Sequence, residues 1–302
     1  MASLSLLIAR ISRGSVLLAA LALLASGSAS ASGGWKHVRI DRHQGAIRAT
    51  LSFSYETRPS RSGVLGRIML IYEYRQVTLL VRRAGKIVIN DIWQGNPFGG
   101  QFTMPLPAGF ALTLRNVWGN VEPEALVTLW TGGNRCCDLL EVGLFASRDR
   151  GRVLFQSFPL QTGVPEGNWY DGRFDFYSED LRFICRFTVC ADSSAPIQIF
   201  AINKEGTKFV DVTRSRPDLV RSDAAGQWQE YLRVRGKPNT GVPVGPLAPW
   251  CADEYLLGQK ERCDRALTQA FARGYGSGGL GPGRRFIKLL HKTLSTWGYD
   301  RR

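Results

Sequence analysis

Two carboxylates and two tryptophans recur at one spacing in this sequence. Sliding the chain against itself by 51 residues sets "NVWGNVEPEAL", from Asn116, over "GNWYDGRFDFY", from Gly167, with Trp118 above Trp169, Asn120 above Asp171 and Glu124 above Asp175. A carboxylate pair is sufficient machinery for glycoside hydrolysis, one group giving a proton while the other acts as base or nucleophile. Indoles beside it offer flat apolar platforms for sugar rings. Glu124 and Asp175 are therefore the candidate catalytic pair, and Trp118, Trp169, Asn120 and Asp171 the candidate ligand-binding residues. The same residue types also have structural uses: acidic and amide side chains after turns bond backbone amides, and indoles bury large areas in cores. The three histidines, His37, His43 and His291, stand beside no G-x-S-x-G or H-E-x-x-H motif. Enzymatic chemistry thus rests on the carboxylate pair, as the alternative to a binding role.

The six cysteines, Cys136, Cys137, Cys185, Cys190, Cys251 and Cys263, are even in number, which in an exported chain points to disulfides before reactive thiols. Cys251 and Cys263 would lie about 18 Å apart along one straight helix, whereas a bridge needs α-carbons within about 7 Å. They join only if the chain reverses, and Gly258 stands between them. Cys185 and Cys190 in "FICRFTVCAD" have opposite parity, so on one flat strand they point to opposite faces and are expected to bridge Cys136 and Cys137 instead. A vicinal Cys136 to Cys137 bridge is the redox alternative. The chain lacks the C-x-x-C spacing of thioredoxin-like catalysts, which favours stapling. No metal site is assigned.

The elements that would position these residues are mostly strands. "AIRATLSFSYE", "RIMLIYEYRQVTLLVRR" and "GKIVINDI" alternate apolar with polar residues and are rich in β-branched and aromatic types. The pattern continues to Val212, and "NKEG" at 203–206 reads as a hairpin turn. From about Arg214 the spacing of Leu219, Ala224, Trp228 and Leu232 turns helical. "WCADEYLLGQKERCDRALTQAFARG" reads as a helix pair broken at Gly258, after a Pro/Gly linker. The expected fold is mainly β, a β-sandwich or a partial, degenerate β-propeller, with a C-terminal α-helical segment. Its divisions are a signal peptide (1–31), an antiparallel β region (32–213) holding the repeat (116–127 and 167–178), a helical segment (214–273), a Gly-rich joint (274–283) and a basic amphipathic helix (284–302).

Through the repeat, and through "TGGNRCC", "EDLRF", "PIQIF", "KFVDVT" and "ADEYLLG", the chain resembles secreted bacterial proteins of unknown function with FG-GAP or VCBS-type aspartate loops. The resemblance covers roughly residues 110–260 and implies calcium held inside a β-propeller blade. Calcium takes about six to eight oxygen ligands, yet the loop positions hold Asn116, Trp118 and Asn120 in one copy and Gly167, Trp169 and Asp171 in the other. An indole has no acceptor oxygen, so the loops are expected to keep the turn without the metal.

Arg10 and Arg13 precede an apolar run from Val16 to Ala25 and small residues ending at Ala31, the order of a secretory signal peptide. That run is shorter than the roughly 18 apolar residues a membrane span requires. Removing residues 1–31 subtracts only those two arginines from the formal net charge of +14. An exported basic chain meets anionic envelope polymers, acidic glycans and anionic membrane surfaces rather than nucleic acid. The tail "RRFIKLLHKTLSTWGYDRR" concentrates that charge, with Asp300 its one acid, and puts Phe286, Leu290, Leu294 and Trp297 on one helical face. Such a helix either docks on its own core or binds a surface. On the second reading, a chain ending at residue 283 folds but loses salt-sensitive retention on anionic polymer. The expected function is a secreted binding or accessory protein for such a polymer or glycan.

Overall fold

The computed structural model describes residues 34–61, 68–93, 110–119, 122–130, 138–144, 152–158, 166–235, 243–272 and 283–301. The expected signal peptide, Asn120, Cys136, Cys137, most of the Pro/Gly linker and nearly all of the Gly-rich joint lie outside the described residues.

Among the described residues, twelve strands form three consecutive antiparallel sheets of four, each following chain order. The first contains β1 (Lys36–Gln44), β2 (Ile47–Arg61), β3 (Ile68–Arg83) and β4 (Lys86–Trp93). The second contains β5 (Phe110–Arg115), β6 (Glu124–Trp130), β7 (Asp138–Leu144) and β8 (Arg152–Phe158). The third contains β9 (Gly167–Tyr170), β10 (Arg173–Glu179), β11 (Ile197–Ile202) and β12 (Phe209–Asp211). The described residues then form four helices: α1 (Pro217–Val234), α2 (Val244–Leu256), α3 (Lys260–Ala272) and α4 (Gly283–Thr296). The antiparallel β region followed by a helical C-terminal segment is thus the fold that the alternation and its loss near Arg214 predict.

Side-chain alternation explains how the sheets stack, since neighbouring residues of a strand face opposite ways. On β2, Ile47, Ala49, Leu51 and Phe53 share the face that packs with Val77, Leu79 and Val81 of β3, and with Leu112, Ala125 and Val127 of the second sheet. Leu126, between Ala125 and Val127, faces the other way and joins Phe174, Phe176 and Ile202 of the third sheet. A four-stranded meander is also the unit of a propeller blade.

The helical half has its own core. Nearly every residue of α2 is buried, which fits a helix that is apolar on almost all sides. Pro249 inside it has no N–H for the carbonyl of Gly245, four residues back. The Ser194 hydroxyl donates to that carbonyl instead, at 3.0 Å. Gly258, at φ 72°, takes the left-handed conformation that glycine favours at a helix end. Its N–H donates to Tyr255 O and that of Gln259 to Glu254 O. This reversal brings the α-carbons of Cys251 and Cys263 to 5.0 Å, and the two are bridged.

The other expected bridges are overturned. Cys185 bonds Cys190, with α-carbons 4.2 Å apart. The parity argument assumed a flat strand, but β10 ends at Glu179 and 3₁₀ turns follow at Leu181–Phe183 and Cys190–Asp192. Cys185 itself has φ 58°, so the segment coils back on itself. The partners assigned to Cys136 and Cys137 are therefore taken.

The tail docks. Phe286, Leu290 and Leu294 are fully buried in one cluster with Phe183, Phe187, Leu247 and Leu267. Phe187 meets the rings of Phe286 and Trp297 edge-on. The expectation that a chain ending at residue 283 folds normally gives way to a helix that is part of the core.

Candidate functional site

The carboxylates singled out from the repeat are structural. Glu124, at the start of β6, has no exposed surface and accepts the Val117 N–H through Oε2 at 2.8 Å. Asp175, on β10, is equally buried and is held by both Nε and Nη2 of Arg216. The Arg216 guanidinium also stacks 3.9 Å from the centre of the Tyr170 ring. Both acids are thus bonded within the fold, and neither has exposed surface. The two tryptophans also diverge. The Trp118 indole lies against Gly206, where an added Cβ would fall 2.6 Å from the ring, and its N–H donates to Asn203 O. Trp169, on β9, stays 43% exposed and meets Phe174 edge-on. Asp171 sits in the β9–β10 turn at φ 49° and is exposed.

Histidine does meet a hydroxyl in space. His37 and Ser54 are cross-strand partners, with Nδ1 and Oγ 2.7 Å apart, in a concavity of about 520 Å³ on the first sheet. Nucleophilic catalysis requires a third group to orient the base. Among the described residues none holds the other ring nitrogen, so the contact is a strand-pairing hydrogen bond. His291 lies 2.9 Å from Asp264 Oδ1, without the alignment of a hydrogen bond. Cys263 completes a group with metal-ligand spacing, but its sulfur is committed to the disulfide.

An acid pair that the periodicity did not reveal lies between α1 and α2. Asp253 is fully buried, and neither of its oxygens has a hydrogen-bond partner among the described residues. Burial first, then the charge of Asp223, pushes its carboxyl well above the usual range. Asp223, on α1, accepts the Ile197 N–H at 2.9 Å, and burial raises its carboxyl as well. A folded-state pKa above the unfolded value contributes stability at low pH that is lost as pH rises through the folded value. Urea titrations over a pH series are expected to show the wild type weakening toward alkaline pH, by about 1.4 kcal/mol per pH unit between the unfolded and the folded pKa. Asp253→Asn, which keeps a donor and cannot ionise, is expected to flatten that slope. Identical profiles would contradict the raised Asp253 carboxyl.

The outward face of α4 carries charge. Arg284, Arg285, Lys288 and Lys292 are all exposed, opposite the buried Phe286, Leu290 and Leu294. The helix sequence GRRFIKLLHKTLST contains no acid. Among the described residues no carboxylate pairs with any of the four. Arg284, Lys288 and Lys292 follow one another every four residues, about 6 Å apart along the axis.

Beyond the C-terminal end of α4 lies a cavity of about 410 Å³, between the β11–β12 edge and the terminal turn. Arg214 fixes that turn by donating through Nη2 to Gly298 O and Tyr299 O, both at 2.8 Å. Arg182 grips Asp180 through Nε and Nη2 and lies 4.8 Å over the Trp297 ring. Tyr299 donates to Asp180 at 2.7 Å, and burial, then the Asp180 charge, raises its hydroxyl pKa well above the usual range. Asp211 accepts from Thr213 at 2.6 Å and from Gln198 at 3.2 Å. Sequence reasoning missed this site because its polar residues come from four separated segments and meet only in the fold.

Comparison with known proteins gives a distant likeness. Over 158 residues, 51% of the chain, the sequence is 26% identical to the probable thylakoid lumen protein sll0997 of Synechocystis sp. (strain ATCC 27184 / PCC 6803 / Kazusa). The chain spans about half the length of that protein, 45%. No family model and no solved structure matches.

Proposed function

We propose that this is an exported binding or accessory protein that holds an anionic cell-envelope polymer or glycan against the exposed face of α4. Three observations support its place outside the cytoplasm. Its first 31 residues have the order of a signal peptide, the Cys185–Cys190 and Cys251–Cys263 bridges suit an oxidising compartment, and the similar protein is described as lumenal. No helix among the described residues is long and apolar enough to cross a membrane.

The observation that carries the binding reading is the α4 stripe, four exposed cations with no acid on their helix. Docking of the apolar face fixes the helix, so the cations are displayed on an ordered backbone and binding does not have to fold it. The same docking leaves no apolar face to insert into a bilayer, so contact with an anionic membrane surface reduces to charge alone.

The test is retention of the full chain on a polygalacturonate matrix at low salt. Arg284→Gln, Arg285→Gln, Lys288→Gln and Lys292→Gln together are expected to abolish retention. Their effect on stability should stay within about 0.5 kcal/mol for each exposed site. A control that removes Arg42, Lys86, Lys204 and Lys208, exposed cations of the β region, is expected to remain bound. Equal retention of both variants would reduce the stripe to general basicity.

A further inference from the structure

The polar cavity beyond α4 is not explained by the cation stripe. Two arginines and one acid line it, Arg182, Arg214 and Asp211, and Asp180, outside the lining, neutralises Arg182. A site of this kind has no net attraction for an ion. What it offers are donors and acceptors whose positions are already fixed by other bonds. Arg182 is held by Asp180 and by Trp297, Arg214 by two carbonyls, and Asp211 by Thr213. Each keeps spare capacity, because a guanidinium has five N–H donors and a carboxylate about four lone-pair sites. Gln198 adds an amide and Trp297 an aromatic surface, while the Ser215 hydroxyl, which donates to Val212 O and accepts from Arg216, keeps one lone pair.

Fixed, paired donors and acceptors beside an aromatic ring suit vicinal hydroxyl groups, each of which both donates and accepts, on a ring with apolar C–H faces. The volume, about 410 Å³, falls within the range of small-ligand sites. The geometry points to a binding site for a neutral sugar unit, lined by Arg182, Gln198, Asp211, Arg214, Ser215 and Trp297. The site does not depend on the α4 stripe, and recognition in it is insensitive to salt because no net charge is neutralised.

The experiment is a saturation-transfer NMR titration of the full chain with glucose, galactose, mannose, xylose and N-acetylglucosamine. It is run at ~1 M salt, where the screening length of about 3 Å suppresses binding to the stripe. At least one sugar is expected to bind saturably. Ser215→Trp, which fills the cavity from an exposed position, is expected to abolish that binding. Gln198→Ala, at the rim, is expected to weaken it about 10-fold, or ~1.4 kcal/mol. Melting curves confirm that each variant is folded, and retention on polygalacturonate at low salt should match the wild type in both. No saturable binding by any of the five sugars, or binding that persists in folded Ser215→Trp, overturns the assignment. Neither result bears on the α4 stripe, which the polygalacturonate column reads separately.

Discussion

Removing residues 284–302 is expected to unfold the helical half of the protein. The deletion takes Phe286, Leu290 and Leu294, none with any exposed surface, together with the ring contacts of Phe183 and Phe187 with Trp297. Each large-to-small change in a packed core costs about 2–5 kcal/mol, so three together approach the whole stability of a domain. The milder Leu290→Ala should cost about 2–5 kcal/mol on its own. Each kcal/mol corresponds to a fall of about 2–4 °C in melting temperature for a domain of this size. Lys288→Ala, on the exposed side of the same helix, should change stability by less than about 0.5 kcal/mol. Thermal and urea melts of the two variants separate the faces of α4. Equal stability would mean that the tail is not part of the core.

Arg216→Ala is expected to be comparably severe for a different reason. Asp175 has no exposed surface, and Arg216, itself 3% exposed, holds it through two N–H groups. Removing the guanidinium leaves a buried carboxylate without its partner, which costs about 3–5 kcal/mol. The double replacement Asp175→Leu with Arg216→Met removes both charges and should recover most of that loss, since buried pairs often break even against apolar packing. Urea melts of the single and double variants test this. A double variant as unstable as Arg216→Ala would show that the arginine acts through its stack on Tyr170 rather than through the ion pair.

Much of this architecture is legible in the sequence because it is local. The alternation of Ile47, Ala49, Leu51 and Phe53 specifies a strand and its buried face, and Gly258 between Cys251 and Cys263 specifies a reversal and a bridge. The failures have physical causes. "FICRFTVC" carries the residue types of a strand, but Asp180 caps the Arg182 N–H at 3.1 Å and starts a 3₁₀ turn. That short-range competition decides the Cys185–Cys190 pairing. The 51-residue repeat placed Glu124 and Asp175 at matching positions, and both are buried, yet one bonds a backbone amide and the other an arginine 41 residues away. No pattern in either copy announces Arg216. The tail showed its two faces plainly. Whether the apolar face docks depends on Phe183, Phe187 and Leu267, outside the tail.

The cation stripe is most directly tested by the salt dependence of binding to soluble polygalacturonate, followed by titration calorimetry at several ionic strengths. Binding that releases counterions gives a linear plot of log affinity against log salt, with a slope of roughly 0.7–0.9 for each charge neutralised. Replacing Arg284, Arg285, Lys288 and Lys292 with glutamine is expected to lower that slope by about 3. Removing Arg42, Lys86, Lys204 and Lys208 should lower it by less than about 1. Equal decreases in the two variants would contradict the account and place the affinity in the overall charge of the protein.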